Sequence, residues 1–269
     1  MPSVELQYTV IKAKLHWGFS VRTFPASGSQ RSLILPPPTS IVGALAYAYS
    51  TLSGLNREYS ALDHTLASYA AEFVEEFDVR YVTAQLDQGL WSHCFQTIRY
   101  FTMPVQMPKT DIGKYATSLK ISEMFSPTQL GYVVYPHAQL TLIVLSERRI
   151  PSSAAWSVVR LGSRESTVIV ESVYLGRVSL EYIEVYSEVY SSTYYLSELA
   201  RPEPHSSYLI ERMPMPVKRE DWLDWFSLES PSHSEVDVVL PLPPLYVRAR
   251  ASRPCFKATI DVDGQRLSM

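Results

Sequence analysis

The tightest constraint on this chain is the run LILPPPTSIVGALAYAYSTLSG at residues 33–54. Proline fixes its own φ and pushes the residue before it out of the helical region, so Pro36, Pro37 and Pro38 hold the backbone extended and stop a strand. Thr39 or Ser40 then caps a helix through a side-chain oxygen. Ile41, Leu45, Ala48 and Leu52 recur at helical spacing, and Gly54 can close the helix. Gly43, Ala44 and Ala46 keep part of its surface small, which permits close packing against a sheet.

The flanking patterns supply that sheet. Residues 5–15 read as a strand: Leu6, Tyr8 and Val10 alternate, then Ile11, Ala13 and Leu15 take the opposite parity, implying a bulge or burial on both faces. Ser60 with Asp63 resembles a capping box, and Leu62, Leu66, Tyr69, Phe73 and Phe77 follow at helical period, so a second helix is expected from about residue 60. Its outer face is acidic and would turn away from any phosphate; His64 beside its apolar stripe reads as structural. Strands are expected at 79–86, 94–105 and 131–145; between the last two, MPVQMPKTDIGKYATSLKIS fits a long basic hairpin or arm, and a plain surface loop equally. Two β-rich segments follow, joined near Gly176, and Ser191 to Pro216 reads as an irregular connector. Trp222, Trp225 and Phe226 form one short amphipathic turn suited to a core or an interface. Strands at 245–251 and near 257–262 complete the chain.

Strands mixed with two early helices, without regular βαβ alternation, favour an α+β fold. The 269 residues, 46% of them hydrophobic, suffice for one large domain or for a domain at 1–150 followed by a β-rich part at 151–269, either separate or integral to it. No apolar run approaches the ~18 residues of a transmembrane helix. The N-terminus lacks a basic leader followed by an apolar block, and Cys94 and Cys255 form no CxxC pair. A cytoplasmic protein without disulfides is the expectation.

The net charge is only −3, yet its distribution is uneven. Residues 9–35, 88–122 and 245–257 together hold 12 of the 24 basic residues and 1 of the 27 acidic ones. The acids gather elsewhere, at Glu72, Glu75, Glu76 and Asp78 and at Glu181, Glu184 and Glu188. A basic face on an acidic body leaves such a trace, as do strands whose lysines simply point to water. Aromatic residues interleave with these cations: Lys12, Lys14, His16, Trp17 and Arg22 in one segment with Arg31 soon after, Arg99 beside Tyr100, and Tyr246 near Arg248 and Arg250. Cations that follow a phosphate backbone, with rings on which splayed bases stack, are the elements of single-stranded RNA binding. Lys109, Lys114 and Lys120 extend the set into the hairpin.

Enzyme signatures are thin. The chain has no phosphate-cradling glycine loop, no GxSxG elbow, and no HxH, HExxH or HxxxH pair among its six histidines, so neither a metal nor another cofactor is expected. Acid–base cleavage of RNA needs only a His, Tyr or Lys near the 2′-hydroxyl, and His16, Tyr47, His93 and Lys109 are conceivable parts. A metal-independent endoribonuclease therefore stands as one alternative, and a protein-only scaffold as another.

KLHWGFSVR at 14–22 followed by LILPPPTSIVGALAYA at 33–48 resembles the N-terminal signature of the Cas-five family of CRISPR-associated RAMP proteins. RLGSRESTVIV at 160–170 is similar to a further block of its archaeal, type I-A members. The resemblance implies a ferredoxin-like, RRM-related core with a hairpin enlarged into a thumb near 88–122. It adds Thr39, Ser40, Arg160 and Arg164 to the expected RNA-binding residues. It also implies a role as a cap in antiviral defence: gripping the 5′ handle of CRISPR RNA, abutting the Cas-seven backbone, and touching the Cas-eight large subunit near the PAM of target DNA, with no membrane involved. Members of the type I-C branch cleave precursor RNA with Tyr, Lys and His. Tyr47 falls on the matching helix, but no adjacent Lys-His pair occurs here, so a non-catalytic subunit is expected. The glycine-rich loop many RAMP proteins carry near the C-terminus is missing.

Overall fold

The computed structural model describes residues 4–16, 18–21, 31–62, 65–88, 91–101, 125–134, 139–162, 166–216, 218–228, 235–242 and 246–269. The first half runs β1 (Glu5–Leu15), β2 (Gly18–Phe19), α1 (Pro38–Leu52), β3 (Tyr59–Leu62), β4 (Thr65–Ser68), α2 (Tyr69–Phe77), β5 (Val79–Gln88), β6 (Ser92–Phe101), β7 (Phe125–Val134) and β8 (Gln139–Ser146). The second half runs α3 (Ser152–Trp156), β9 (Val168–Ser179), β10 (Glu181–Ile183), β11 (Glu188–Ser191), β12 (Tyr195–Leu196), β13 (Ala200–Pro202), β14 (Tyr208–Pro214), α4 (Arg219–Phe226), β15 (Glu235–Pro241), β16 (Val247–Ala251), β17 (Cys255–Lys257), β18 (Thr259–Val262) and β19 (Gln265–Ser268). The molecule is thus a strand-rich mixture of α and β. None of the described helices is long and apolar enough to cross a membrane.

A four-stranded sheet of order β5-β8-β1-β9, antiparallel throughout, forms the centre. β1 is buried on both faces, which accounts for its change of apolar parity. Ile11, Ala13 and Leu15 share one core with Ile41 and Leu45 of α1, Phe73 of α2 and Ala154 of α3. Leu6 and Val10 belong to a second core with Ile143, Ile260, Val262 and Leu267, where the β18–β19 hairpin covers the opposite face. A register slip lies against the facing strand, between the pairs Lys12–Ser172 and Ala13–Val170. Strand β9, far along the chain, completes this sheet, so residues 151–269 contribute directly to the centre.

The proline run ends where expected, but α1 is capped differently. Pro37 is the N-cap, neither Thr39 nor Ser40 makes a side-chain cap, and the helix starts at Pro38. Proline suits this position because the first helical N–H groups have no intrahelical acceptor anyway. Gly54 adopts φ +68° just past the helix end. Tyr194, fully buried, donates its hydroxyl to the Pro36 carbonyl at 3.1 Å, tying the run to the second half of the chain.

The second helix begins nine residues later than its apolar period implied. Residues 59–68 form the β3–β4 hairpin, and Ser68, not Ser60, accepts from the Ala70 N–H as the cap. His64 lies outside the described residues. The expected strand at 131–145 is two strands, β7 and β8. The turn expected near Gly176 is the interior of β9, where a Cβ would meet the Tyr8 hydroxyl at 2.6 Å, so glycine makes room for that ring. The irregular connector at 191–216 contains β12, β13 and β14, paired with β15 and β16. Trp222 of α4 is core, stacked on Phe226 with ring centroids 6.0 Å apart.

Candidate nucleic-acid interface

The two sequence blocks around Pro36–Pro38 and Arg160–Val170 meet in space. The end of β1 is stitched to the second block by backbone, the His16 N–H donating to the Thr167 carbonyl at 3.2 Å; within that block the Leu161 N–H donates to the Ser166 carbonyl at 2.9 Å. The Ser20 N–H donates to Ser166 Oγ at 2.9 Å. Gly162 turns the chain with φ +80°, and a Cβ there would meet Val21 Cγ2 at 2.4 Å, so the turn needs glycine for both backbone and space. This turn faces α1 across a cleft of about 170 Å³ lined by Ser40, Gly43, Ala44, Tyr47, Val159 and Arg160. Tyr47 is 48% exposed and Val159 56% exposed. The Arg160 guanidinium lies 5.1 Å from the Tyr47 ring centroid, a cation–π contact. Among the described residues Arg160 has no ion-pair partner within 4.0 Å. The first turn of α1 holds no acid, so nothing there repels an anion.

A second cationic element is the β6–β7 hairpin, paired antiparallel from Ser92–Val134 to Phe101–Phe125. These strands flank the segment expected as a basic arm, which itself lies outside the described residues, and β2 extends their sheet through β7. Arg99 and Tyr100 sit on β6 opposite Pro127 and Ser126; Lys109, Lys114 and Lys120 lie outside the described residues. At its base Trp91 packs edge-on to His93, ring centroids 5.2 Å apart. Burial, with the nearby charge of Arg31, holds the His93 imidazole below its ordinary pKa. Arg31, exposed just ahead of the proline run, is thereby brought to the hairpin base.

Lys12 and the arginines of the 245–257 stretch are engaged by acids. Lys12 on β1 reaches Asp263 at 3.3 Å and lies 5.7 Å from the Tyr174 ring centroid. The Tyr174 hydroxyl bonds the same carboxylate and, with Lys12, keeps it below the usual carboxylate range. Lys14 is half-buried two residues on, on the same face. Arg248 pairs with Glu188 at 2.5 Å and Glu203 at 3.3 Å; Arg250 reaches Glu203 at 3.7 Å. Arg253 is 2.9 Å from Glu198. Cross-strand neighbours from distant segments therefore neutralise much of the basic stretch at 245–257. Trp17, Arg22 and Arg164 lie outside the described residues.

Of the expected residues, the fold brings Ser40 and Arg160 into one cleft, with Thr39 half-buried one position earlier and His16 exposed on the strand stitched to the Arg160 turn. Gly43, Val159 and Gly162 escaped sequence reasoning as site residues. Gly43 left one signal, a glycine inside a helical pattern where alanine would be better. A larger cavity of about 370 Å³ lies elsewhere, between the β18–β19 side of the sheet and the C-terminal strands. Its walls are mainly apolar, including Leu6, Leu145, Leu199, Phe256 and Met269, and suit no polyanion. No group of His, Cys, Asp and Glu able to hold a metal occurs among the described residues.

No family model matches the chain. It is 26% identical to CRISPR-associated protein Cas5 3 of Saccharolobus solfataricus over 176 residues, 63% of this chain and 65% of that protein. CRISPR system aCascade subunit Cas5 1 of the same organism matches at the same identity and over the same shares. The alignments thus span just under two thirds of these relatives' length. A crystal structure of a CRISPR protein from Archaeoglobus fulgidus matches with a TM-score of 0.57 at 14% identity, covering 97% of this chain and 98% of that one. That likeness is one of fold.

Proposed function

The chain is a member of the Cas5 family of CRISPR-associated proteins, and from that premise we propose that it is a non-catalytic, RNA-binding subunit of a cytoplasmic type I-A Cascade complex. In this reading it grips the 5′ handle of CRISPR RNA, caps the Cas-seven backbone beside the Cas-eight subunit, and stands near the PAM of target DNA. The observation that carries it is the cleft itself. Two segments more than a hundred residues apart, both resembling Cas-five signatures, converge on Ser40, Tyr47 and Arg160, where a cation with no ion-pair partner among the described residues meets an exposed ring.

The order β1-α1-β5-β8-α3-β9, with strands arranged β5-β8-β1-β9, supports a ferredoxin-like core of the RRM-related kind. RRM domains stack bases on the open face of their sheet. Here much of that face is occupied, because Ile260, Val262 and Leu267 of the β18–β19 hairpin pack on Leu6, Val10 and Ile143. RNA is therefore directed to the α1 cleft and to the β6–β7 hairpin, which acts as the thumb. A handle of fixed sequence needs one such anchor, read through phosphates and splayed bases, while the guide stays free to pair.

Catalysis by 2′-hydroxyl attack needs a general base and acid converging on one phosphate. Tyr47 lies on the cleft, whereas His93 lies at the hairpin base against Trp91. His16, exposed on the strand stitched to the Arg160 turn, is the other candidate imidazole, and binding without cutting is the reading we propose. Incubating the chain with single-stranded repeat RNA in EDTA, and following binding against salt, tests the proposal: salt-sensitive binding with intact RNA is expected. A discrete cut replaces it with the endoribonuclease reading, and loss of any salt-sensitive binding replaces it with a protein scaffold.

A further inference from the structure

The α1 cleft has walls that a phosphate alone does not need. Tyr47 and Val159 present exposed apolar surface, Ala44 is small, and a Cβ built on Gly43 would meet nothing within 4 Å. The lining side chains that carry polar groups are Ser40, Tyr47 and Arg160. A site for phosphate alone would gather donors; this one sets a ring and a guanidinium plane beside an open, partly apolar space of about 170 Å³. Unpaired RNA bases stack on such aromatic and guanidinium planes, and the five N–H donors of arginine can serve a base edge or the adjoining phosphate.

We propose that the cleft bounded by Gly43, Tyr47, Val159 and Arg160 is a slot for one unpaired nucleobase of the bound RNA. This inference rests on the RNA-binding reading and adds the ligand at that site. Tyr47 and Arg160 form the stacking platform, Ser40 supplies a polar contact, and the missing side chain at Gly43 leaves the room. The slot makes one RNA position sensitive to loss of its base, whereas a cation acting on the backbone alone would treat all positions alike.

The test pairs RNA and protein changes. Repeat RNAs carrying a single abasic nucleotide at successive positions are titrated with the full chain at fixed salt. One position, or two adjacent ones, should lose about 10- to 100-fold in affinity, as base–aromatic stacking implies, with the others within about 2-fold. Gly43→Leu fills the slot at a site open to a Cβ and replaces glycine with a better helix former, so it is expected to fold. It should bind intact RNA as weakly as wild type binds the critical abasic RNA and should no longer distinguish the two. Tyr47→Phe should keep the discrimination, and Arg160→Gln should lose most of it. Equal losses at every position, or discrimination that survives Gly43→Leu, overturn the slot and leave RNA binding standing. Failure to bind intact RNA at any salt overturns the reading beneath it, and the slot with it.

Discussion

Glu211→Gln isolates one buried charge whose cost can be worked out. Both carboxylate oxygens of Glu211, on β14, accept from the Ile34 N–H, at 3.1 and 3.2 Å, just before the proline run. Burial pushes this carboxyl up from an ordinary 4.5 to about 7, the backbone hydrogen bond only partly opposing it. That difference corresponds to about 3 kcal/mol, at 1.36 kcal/mol per factor of ten in proton affinity. Below pH 4.5 both folded and unfolded chains hold the proton and nothing is lost. Between pH 4.5 and 7 the folded chain keeps a proton the unfolded chain has released, so stability falls as pH rises. Above about pH 7 the full cost is in place. The Gln carbonyl accepts the same Ile34 N–H without a charge to desolvate. Urea unfolding of both proteins at pH 5, 6, 7 and 8 should therefore show the variant gaining with pH, to an advantage of up to about 3 kcal/mol at pH 8. Asp87, also pushed up by burial, titrates in both proteins and cancels in the difference. Parallel stability curves across the range would refute a buried, charge-penalised Glu211.

Replacing Lys109, Lys114 and Lys120 together with Ala should flatten the log–log salt dependence of RNA binding by about 2, at ~0.7 per single-strand phosphate contact; an unchanged slope removes the thumb from the RNA path. Tyr194→Phe strips the Pro36 carbonyl of a buried donor and should cost about 1–3 kcal/mol in chemical denaturation. Ser68→Ala, which removes the α2 cap, should cost about 0.5–2 kcal/mol, whereas Ser60→Ala, in the β3–β4 hairpin, should be nearly silent.

The central elements were legible because local pattern and burial agree. β1, α1 and β5 each bury a continuous apolar stripe, and the proline run marks its own boundary. The β3–β4 hairpin was not legible. Leu62 and Leu66 fall on the helical period of Phe73 and Phe77, yet Leu66 is 41% exposed, and only pairing across the turn distinguishes strand from helix there. Gly176 reads as a turn until Tyr8 is seen lying over it. Strands β12 to β14 are short and owe their existence to β15 and β16, partners remote in sequence. The same remoteness governs the site. Arg248 and Arg250 sit in an acid-free segment, but Glu188 and Glu203 reach them across the sheet. Arg160 stands among few cations in sequence, and the fold sets it over the Tyr47 ring, without an ion-pair partner among the described residues.

The most direct measurement is titration of labelled single-stranded repeat RNA with the full chain in EDTA at several salt concentrations, with a gel read for cleavage in the same samples. Expected is binding that weakens steeply with salt while the RNA stays intact. A discrete cleavage product, or binding indifferent to salt, would contradict a non-catalytic RNA-binding subunit.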